Sequence, residues 1–162
     1  MLQCHYIFIG GINNMENMPL HAPLDCTEVF GYARISVDIE KEEDKNTSIE
    51  NQIDFIEDYT KTHFPHAKLT IYKDRDRSGY TFEQREQYQL MRRRLMSGEV
   101  KVLIVKDFSR FSRRNSLGLY ELELLRDAGV RIISISDAID FPTHDDWLQI
   151  QFRFLLNEQP VT

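Results

Sequence analysis

The sequence predicts an α/β protein with a mostly parallel sheet of four to five strands flanked by helices. Short runs rich in β-branched and aromatic residues recur at 27–34, 68–74, 100–107 and 130–136. Segments with helical spacing of apolar residues lie between these runs, joined by short links. Parallel strands need crossover connections, and helical crossovers cover the sheet on both faces. The alternation therefore predicts one sheet with helices on either side.

Composition agrees with a globular domain. Hydrophobic residues make up 41% of the 162 residues and charged residues 28%, values typical of folded proteins. No apolar run approaches the roughly 18 residues that a membrane span needs, so a membrane is not expected as a partner. Cys4 and Cys26 lack the spacing of a metal site, and we interpret both as reduced thiols of a cytoplasmic protein.

Residues 27–97 contain two predicted strands and two predicted helices. TEVFGYAR at 27–34 predicts a buried first strand. Thr47 and Glu50 have the spacing of a capping box, which predicts that the first helix begins there and continues to about residue 63. KLTIYKD at 68–74 predicts the second strand, and the apolar spacing over 84–97 predicts the second helix.

The second half continues the alternation. The apolar run at 100–107 predicts the third strand, and a helix over 113–129 is expected to end at Gly129. VRIISIS at 130–136 predicts the fourth strand, and a final amphipathic helix is expected to begin near Asp145. We expect the apolar side chains of that helix to form a contact surface between two copies of the chain. They are Trp147, Ile150, Phe154 and Leu155.

Charge is distributed unevenly along the chain. The net charge is −6, yet residues 72–114 contain more than half of the 20 Lys and Arg residues and are net positive. A basic segment in an acidic protein indicates a local anion-binding site. In open α/β sheets, ligands bind beyond the carboxyl ends of the strands. The side chains expected at this edge are Arg34, Ser36, Arg75, Arg77, Ser78, Arg85, Arg110, Arg113 and Arg114.

The stretch GYARIS places three side chains with polar tips two residues apart. Alternate side chains of a strand share a face, so Tyr32, Arg34 and Ser36 are expected on the same face. A phenol, a guanidinium and a hydroxyl at a strand end suggest a site that binds an anion. Arg110 and Arg113 are three residues apart and would add two guanidiniums on one helical face.

These residues resemble the signature of a known family. YARIS resembles the Tyr-x-Arg-x-Ser motif of the serine recombinases, the resolvase and invertase family. TSIENQ, YKDRDRSG and SRFSR resemble later blocks of that family in order and in spacing, and the resemblance covers roughly residues 28–140. The acidic insertion between Ser36 and Thr47 is most similar to the large serine recombinases of phages and conjugative transposons.

The resemblance implies a resolvase-like catalytic domain that cleaves and rejoins DNA through a transient phosphoserine, with no cofactor and no metal. The implied catalytic residues are Ser36, Arg34, Arg85, Arg110 and Arg113. The implied supporting residues are Tyr32, Gln52, Asp74, Ser78 and Asp107. The family has an Asp directly before the first arginine of the SRFSR block, where this chain has Ser109. We therefore expect Asp107 to take that role.

The resemblance also implies partners and an organisation of the chain. DNA is the expected partner, through a backbone phosphate, and the chain is expected to form a dimer and, on DNA, a tetramer. A cytoplasmic location is expected, in a bacterial cell or encoded by a phage or mobile element. Residues 1–26 are interpreted as a poorly structured leader and 27–140 as the catalytic domain. Residues 141–162 are interpreted as the start of a dimerisation helix that stops before any DNA-binding domain.

Two other functions stay open at this point. Asp74 and Asp76 form a D-x-D pair after a strand, which suggests a magnesium-dependent nuclease-like domain. The chain could instead be a catalytically silent multimerisation or regulatory remnant, a hypothesis that Ser109 favours. Dependence on a metal distinguishes the nuclease from the serine recombinase.

Overall fold

The computed structural model describes residues 26–36, 48–76, 82–111, 115–142, 150–152 and 155. The strands in these segments are β1 (Glu28–Ser36), β2 (Lys68–Asp76), β3 (Val102–Val105), β4 (Arg131–Ser134) and β5 (Ile139–Phe141). The helices are α1 (Ile49–His63), α2 (Glu86–Met96), α3 (Phe108–Phe111) and α4 (Asn115–Asp127), with a 3₁₀ turn at Phe82–Gln84. Residues 1–25 of the predicted leader, and Trp147 and Phe154 of the predicted last helix, lie outside the described residues.

The five strands form one sheet in the order β2-β1-β3-β4-β5. The first four strands along the chain pair in parallel, and β5 pairs antiparallel with β4. The prediction of a mostly parallel sheet flanked by helices is confirmed. Because β1 pairs in parallel with both β2 and β3, the carboxyl ends of these three strands lie next to one another at the same edge of the sheet.

Helices cover both faces of the sheet. Tyr32 of β1 is fully buried in a cluster with Tyr88 of α2 and Leu122 of α4. Val29 of the same strand belongs to a second cluster, together with Ile56 of α1. A shift of β1 by one residue would exchange its two faces, so burial on both sides fixes its register.

Gly31 permits close contact between β1 and α1. A Cβ atom built on Gly31 would lie 2.7 Å from Cγ2 of Ile56, closer than van der Waals contact allows. Glycine therefore lets α1 pack directly on the backbone of β1. This packing brings Gln52, one helical turn before Ile56, to the carboxyl end of β1.

The predicted capping box of α1 is wrong. The hydroxyl of Ser48 caps the helix, accepting from the backbone N–H of Asn51 at 3.0 Å. The cap is the last residue with extended backbone before the helix, and α1 begins at Ile49. Ser48 therefore takes the place predicted for Thr47, and Asn51 rather than Glu50 occupies the third helical position.

The segment after β3 also differs from the prediction. The prediction placed Arg110 and Arg113 at the opening of one helix with the residues that follow, whereas the structure describes α3 and α4 as separate elements. β5 was not predicted as an element of its own. Phe108 and Phe111 of α3 are both fully buried, and a contact of this kind cannot be read from four residues of sequence. The predicted end of α4 near Gly129 is confirmed, because the helix ends at Asp127 and Gly129, two residues later, has a φ of +83°.

Part of the predicted last helix is described. Ile150 is fully buried in the main core, so it packs against its own domain and is not part of the expected contact surface. Leu155 is exposed. Within the described segments, the helices are all too short or too polar to cross a membrane.

Candidate active site

Ser36 is the last residue of β1, at the edge of the sheet where the predicted site residues were expected to meet. It is in register with Asp76 of β2, whereas β3 ends earlier, in register with Tyr32. The Ser36 side chain lies outside the described part of the structure, so the groups around the strand end define the site. Arg77, Ser78, Arg113 and Arg114 also lie outside the described residues.

Arg34 is buried next to this strand end, with 2% of its surface exposed. Its Nε donates to the backbone carbonyl of Arg110 at 3.2 Å, and its Nη2 donates to that of Ser109 at 3.3 Å. Both acceptors belong to α3. A carbonyl carries no net charge, so these bonds orient the guanidinium without neutralising it.

Arg85 reaches the same short helix from the amino-terminal end of α2. It is the N-cap residue of α2 and is buried. Its Nη1 donates to the backbone carbonyl of Phe111 at 2.6 Å, and its guanidinium carbon lies 4.8 Å from the ring centroid of Phe82. Arg34 and Arg85 are therefore anchored on consecutive carbonyls of α3.

Arg110 lies in α3 itself and pairs with Asp107, just before the helix. The Nε of Arg110 is 3.7 Å from Oδ2 of Asp107, and its backbone N–H donates to Oδ1 at 3.3 Å. The hydroxyl of Ser109 also donates to Oδ1 of Asp107. The carboxylate beside Arg110 thus comes from position 107, and Ser109 is bound to it.

Gln52 completes the hydrogen bonding of β1 where β3 has ended. Its Oε1 accepts from the backbone N–H of Arg34, and its Nε2 donates to the carbonyl of Arg34, both at 3.0 Å. The Gln52 side chain is fully buried. Because β3 is in register with β1 only as far as Tyr32, Gln52 replaces a strand neighbour at Arg34.

Asp74 of β2 connects three elements around the site. Its Oδ1 accepts from the backbone N–H of Gln87 at 3.0 Å, and its Oδ2 accepts from that of Tyr88 at 2.9 Å. The Tyr32 hydroxyl donates to Oδ2 at 3.0 Å. A carboxylate at the start of a helix satisfies free N–H groups and complements the helix dipole. Asp74 therefore fixes the start of α2, where Arg85 is the N-cap.

The contacts of Asp74 also bear on the magnesium alternative. Three of the about four acceptor positions of its carboxylate are already used by hydrogen bonds from the fold. The side chain of Asp76 lies outside the described structure. Among the described residues, no three His, Cys, Asp or Glu side chains are grouped to hold a metal ion. The Asp74 geometry favours a positioning role over metal ligation.

Not all of the predicted cations meet at α3. Arg34, Arg85 and Arg110 do, through the contacts given above. Arg75, which was expected at the same edge, is exposed and forms an ion pair with Glu50 of α1 at 3.8 Å.

Asp137 is a residue beside this site that sequence reasoning missed. Its Oδ2 accepts from the backbone N–H of Phe108, the first residue of α3, at 2.9 Å. The available signal was an acidic residue in the turn directly after the fourth strand, at the same edge of the sheet as the basic loops.

Two buried phenols near the site have perturbed ionisation. Burial raises the pKa of Tyr32 well above its ordinary value, with Arg85 opposing the shift and Asp74 adding to it. Burial likewise raises the pKa of Tyr88 well above its ordinary value, and Glu121, which accepts from its hydroxyl at 2.8 Å, adds to the shift. The unfolded chain loses these protons near pH 10, whereas the folded chain retains them. Below about pH 10 both states keep these protons, and the phenols do not reduce the free energy of unfolding. Above that pH the unfolded state is favoured by losing them, so the free energy of unfolding falls as the pH rises.

We expect these two phenols together to lower the free energy of unfolding by about 3 kcal/mol per pH unit above about pH 10.5, because each contributes about 1.4 kcal/mol per unit. Tyr32→Phe should remove about 1.4 kcal/mol per pH unit from the slope of the wild type. Urea denaturation between about pH 9 and 11.5 measures it. Tyr120→Phe is the matched control, since Tyr120 is 60% exposed. Identical slopes in all three proteins would contradict the assignment.

Comparison with known proteins decides the family. The family described as Resolvase, N terminal domain, matches residues 29–159. The chain belongs to the resolvase family. The resemblance drawn from YARIS and the later blocks is therefore confirmed. No curated protein sequence matches this resolvase-family chain.

Solved structures place the fold of this resolvase-family chain among serine recombinase catalytic domains. The N-terminal catalytic domain of TP901-1 integrase aligns with a TM-score of 0.65 and 23% identity, over 82% of this chain and 95% of that one. A resolvase family site-specific recombinase from Streptococcus pneumoniae aligns with a TM-score of 0.60 and 28% identity, over 82% and 86%. The C-terminal catalytic domain of ISC1926 TnpA, an IS607-like serine recombinase, aligns with a TM-score of 0.53 and 22% identity, over 80% and 78%.

Proposed function

We propose that this resolvase-family chain is the catalytic domain of a site-specific DNA recombinase that cleaves and rejoins DNA through a transient phosphoserine at Ser36. The observation that carries the proposal is the convergence of Arg34, Arg85 and Arg110 on α3, beside the end of β1. Arg113 is proposed as a fourth catalytic arginine from its place in the SRFSR block.

The proposed chemistry is a reversible exchange of phosphate esters. Oγ of Ser36 forms a bond to the phosphorus of a DNA phosphodiester and loses its proton. The bond from phosphorus to the 3′ oxygen breaks, and that oxygen leaves as a hydroxyl after taking up one proton. In rejoining, a 3′ hydroxyl attacks the phosphoserine and releases Ser36. Each step replaces one ester by another, so no cofactor is needed to balance it.

Electrostatic stabilisation of the transition state is proposed to account for most of the rate enhancement. A pentacoordinate phosphate gains negative charge on its non-bridging oxygens, and guanidiniums bind such oxygens in pairs. Donors held in place in advance are the most effective, because they need no reorganisation when charge develops. The carbonyls of α3 hold Arg34 and Arg85 in this manner.

The supporting residues are proposed to act by holding these arginines. Gln52 fixes the backbone of Arg34, and Asp107 orients Arg110. Tyr32 and Asp74 fix the start of α2 and with it Arg85. Ser78 is assigned a supporting role from its motif alone.

The proposal extends to partners and organisation. DNA is the substrate, and the chain is proposed to act as a dimer that pairs into a tetramer on DNA, in the cytoplasm. Residues 27–140 are proposed as the catalytic unit, and 141–162 as the region that contains the start of a helix that mediates dimer contacts, with Phe141 still belonging to β5. The proportion of dimer and tetramer with and without DNA, measured by analytical ultracentrifugation, tests this part.

A covalent trapping assay tests the reaction itself. The chain is fused at its carboxyl end to a homeodomain, a DNA-binding module that contains no metal, and incubated with DNA carrying paired homeodomain sites. The reaction is run in EDTA and then with Mg²⁺, and a protein–DNA adduct that resists denaturant is measured on gels.

Each outcome decides between the candidate functions. An adduct in EDTA that is absent from the Ser36→Ala variant supports the serine recombinase. Cutting that needs Mg²⁺ and does not need Ser36 would instead support the nuclease-like alternative. No adduct and no cutting from a folded fusion protein would favour the catalytically silent multimerisation domain.

The position of the acidic group can be tested in the same assay. We expect Asp107→Ala to slow adduct formation about tenfold to 100-fold, because Arg110 loses the carboxylate that orients it. Adding Ser109→Asp to that variant should recover most of the rate, since it restores a carboxylate directly before Arg110. Wild-type rates in Asp107→Ala, or no recovery in the double variant, would contradict the assigned role.

A further inference from the structure

α3 depends on contacts at its two ends. Its described part is Phe108–Phe111, and the N–H groups in the first turn of a helix have no acceptor within that helix. At its carboxyl end, its carbonyls accept from Arg34 and Arg85. At its amino end, the N–H of Phe108 donates to Oδ2 of Asp137 at 2.9 Å.

Asp137 is itself held rigidly against the sheet. The hydroxyl of Ser134, the fully buried last residue of β4, donates to Oδ2 of Asp137 at 2.6 Å. The turn between them is bound to the end of β3, with the N–H of Ile135 donating to the carbonyl of Val105 at 3.1 Å. The N–H of Ser136 donates to the carbonyl of Lys106 at 2.7 Å. Asp137 therefore presents a fixed acceptor to α3.

We propose that Asp137 is a positioning residue for the recombinase reaction, acting through α3 on Arg34, Arg85 and Arg110. The proposal rests on the proposed function of these arginines. Asp137 does not contact the phosphate itself. It sets the place of the helix that carries Arg110 and whose carbonyls orient the other two guanidiniums.

The expected consequence of losing Asp137 follows from this arrangement. An alanine removes the carboxylate that accepts from the N–H of Phe108, and this loosens the first turn of α3. The carbonyls that hold Arg34 and Arg85 move with it. A displacement of about 1 Å in a site of this kind can reduce the rate about 100-fold. An asparagine at position 137 retains an oxygen acceptor and should preserve the arrangement.

The experiment compares Asp137→Ala, Asp137→Asn and a matched control, Asp58→Ala, whose side chain is 83% exposed on α1. Hydrogen exchange of the amides at 108–111 is measured on the chain itself, together with urea denaturation. The rate of adduct formation is measured in the homeodomain fusion. We expect Asp137→Ala to exchange at least tenfold faster at 108–111 and to form the adduct about tenfold to 100-fold more slowly. Asp137→Asn and Asp58→Ala should stay within about threefold of the wild type in both measurements.

Two results would overturn the proposal. One is wild-type protection at 108–111 and a wild-type adduct rate in Asp137→Ala. The other is a uniform loss of protection across the sheet, or no rescue by Asp137→Asn, which would mark Asp137 as a general stability residue. If the wild-type fusion forms no adduct, the proposed function fails, and the exchange measurement still decides whether Asp137 holds α3.

Discussion

Replacing Ser36 by alanine is expected to abolish the covalent adduct and to leave the fold unchanged. No other atom can replace Oγ in the phosphoserine ester, so the loss should be complete rather than partial. The fold should persist because β1 is fixed by its backbone pairing with β2 and by the burial of both its faces. The adduct is measured on denaturing gels, and folding is checked by urea denaturation.

Ser48→Ala is the matched control for this variant. It removes the same hydroxyl from the cap of α1, which should lower the free energy of unfolding by about 1 kcal/mol and leave the adduct in place. A folded Ser36→Ala protein that still formed the adduct would refute the phosphoserine mechanism.

Replacing Arg110 by glutamine is expected to slow adduct formation by about 100- to 1,000-fold, equivalent to about 3–4 kcal/mol. Glutamine keeps a polar side chain but removes the charge that would stabilise the transition state. The effect should appear in the rate of the covalent step under saturating DNA, since binding energy comes mainly from the attached homeodomain. Single-turnover kinetics in EDTA measure that step separately from binding.

Arg93→Gln provides the comparison, because Arg93 is exposed on α2, outside the cluster around α3. It removes the same charge from the chain and should change the rate less than threefold. Equal slowing in both variants would show that the arginines act through general attraction to DNA rather than at the reacting phosphate.

The sheet was predictable because its signals are local. Runs of β-branched residues, and the helical spacing of apolar residues between them, identified four of the five strands and the alternation of strands and helices along the chain. β5 has only three residues, too few to produce a pattern. α3 was not predicted as a separate helix because the burial of Phe108 and Phe111 depends on residues far away in the chain.

The candidate residues were predictable from the motifs, but their arrangement was not. The spacing of YARIS and SRFSR named Arg34 and Arg110, yet it could not show that the first donates to the carbonyl of the second. Asp137 lies in no recognised block, and its contact with Phe108 joins residues 29 positions apart. Contacts of this range depend on the tertiary fold and leave no local periodicity.

Because β3 ends before β1 does, the last residues of β1 have a strand neighbour on one side only, which is β2. Beyond Tyr32, β1 and β2 continue as a two-stranded ribbon, and ribbons of two strands twist more freely than wider sheets. On its open edge the ribbon is tethered at Arg34 by the amide of Gln52, which also donates to the carbonyl of Ser48 at 3.4 Å. Loss of either bond would leave a buried polar group unsatisfied, at a cost of about 1–3 kcal/mol for each such group. Gln52 therefore connects the first turn of α1 to β1 two residues before its last residue, Ser36.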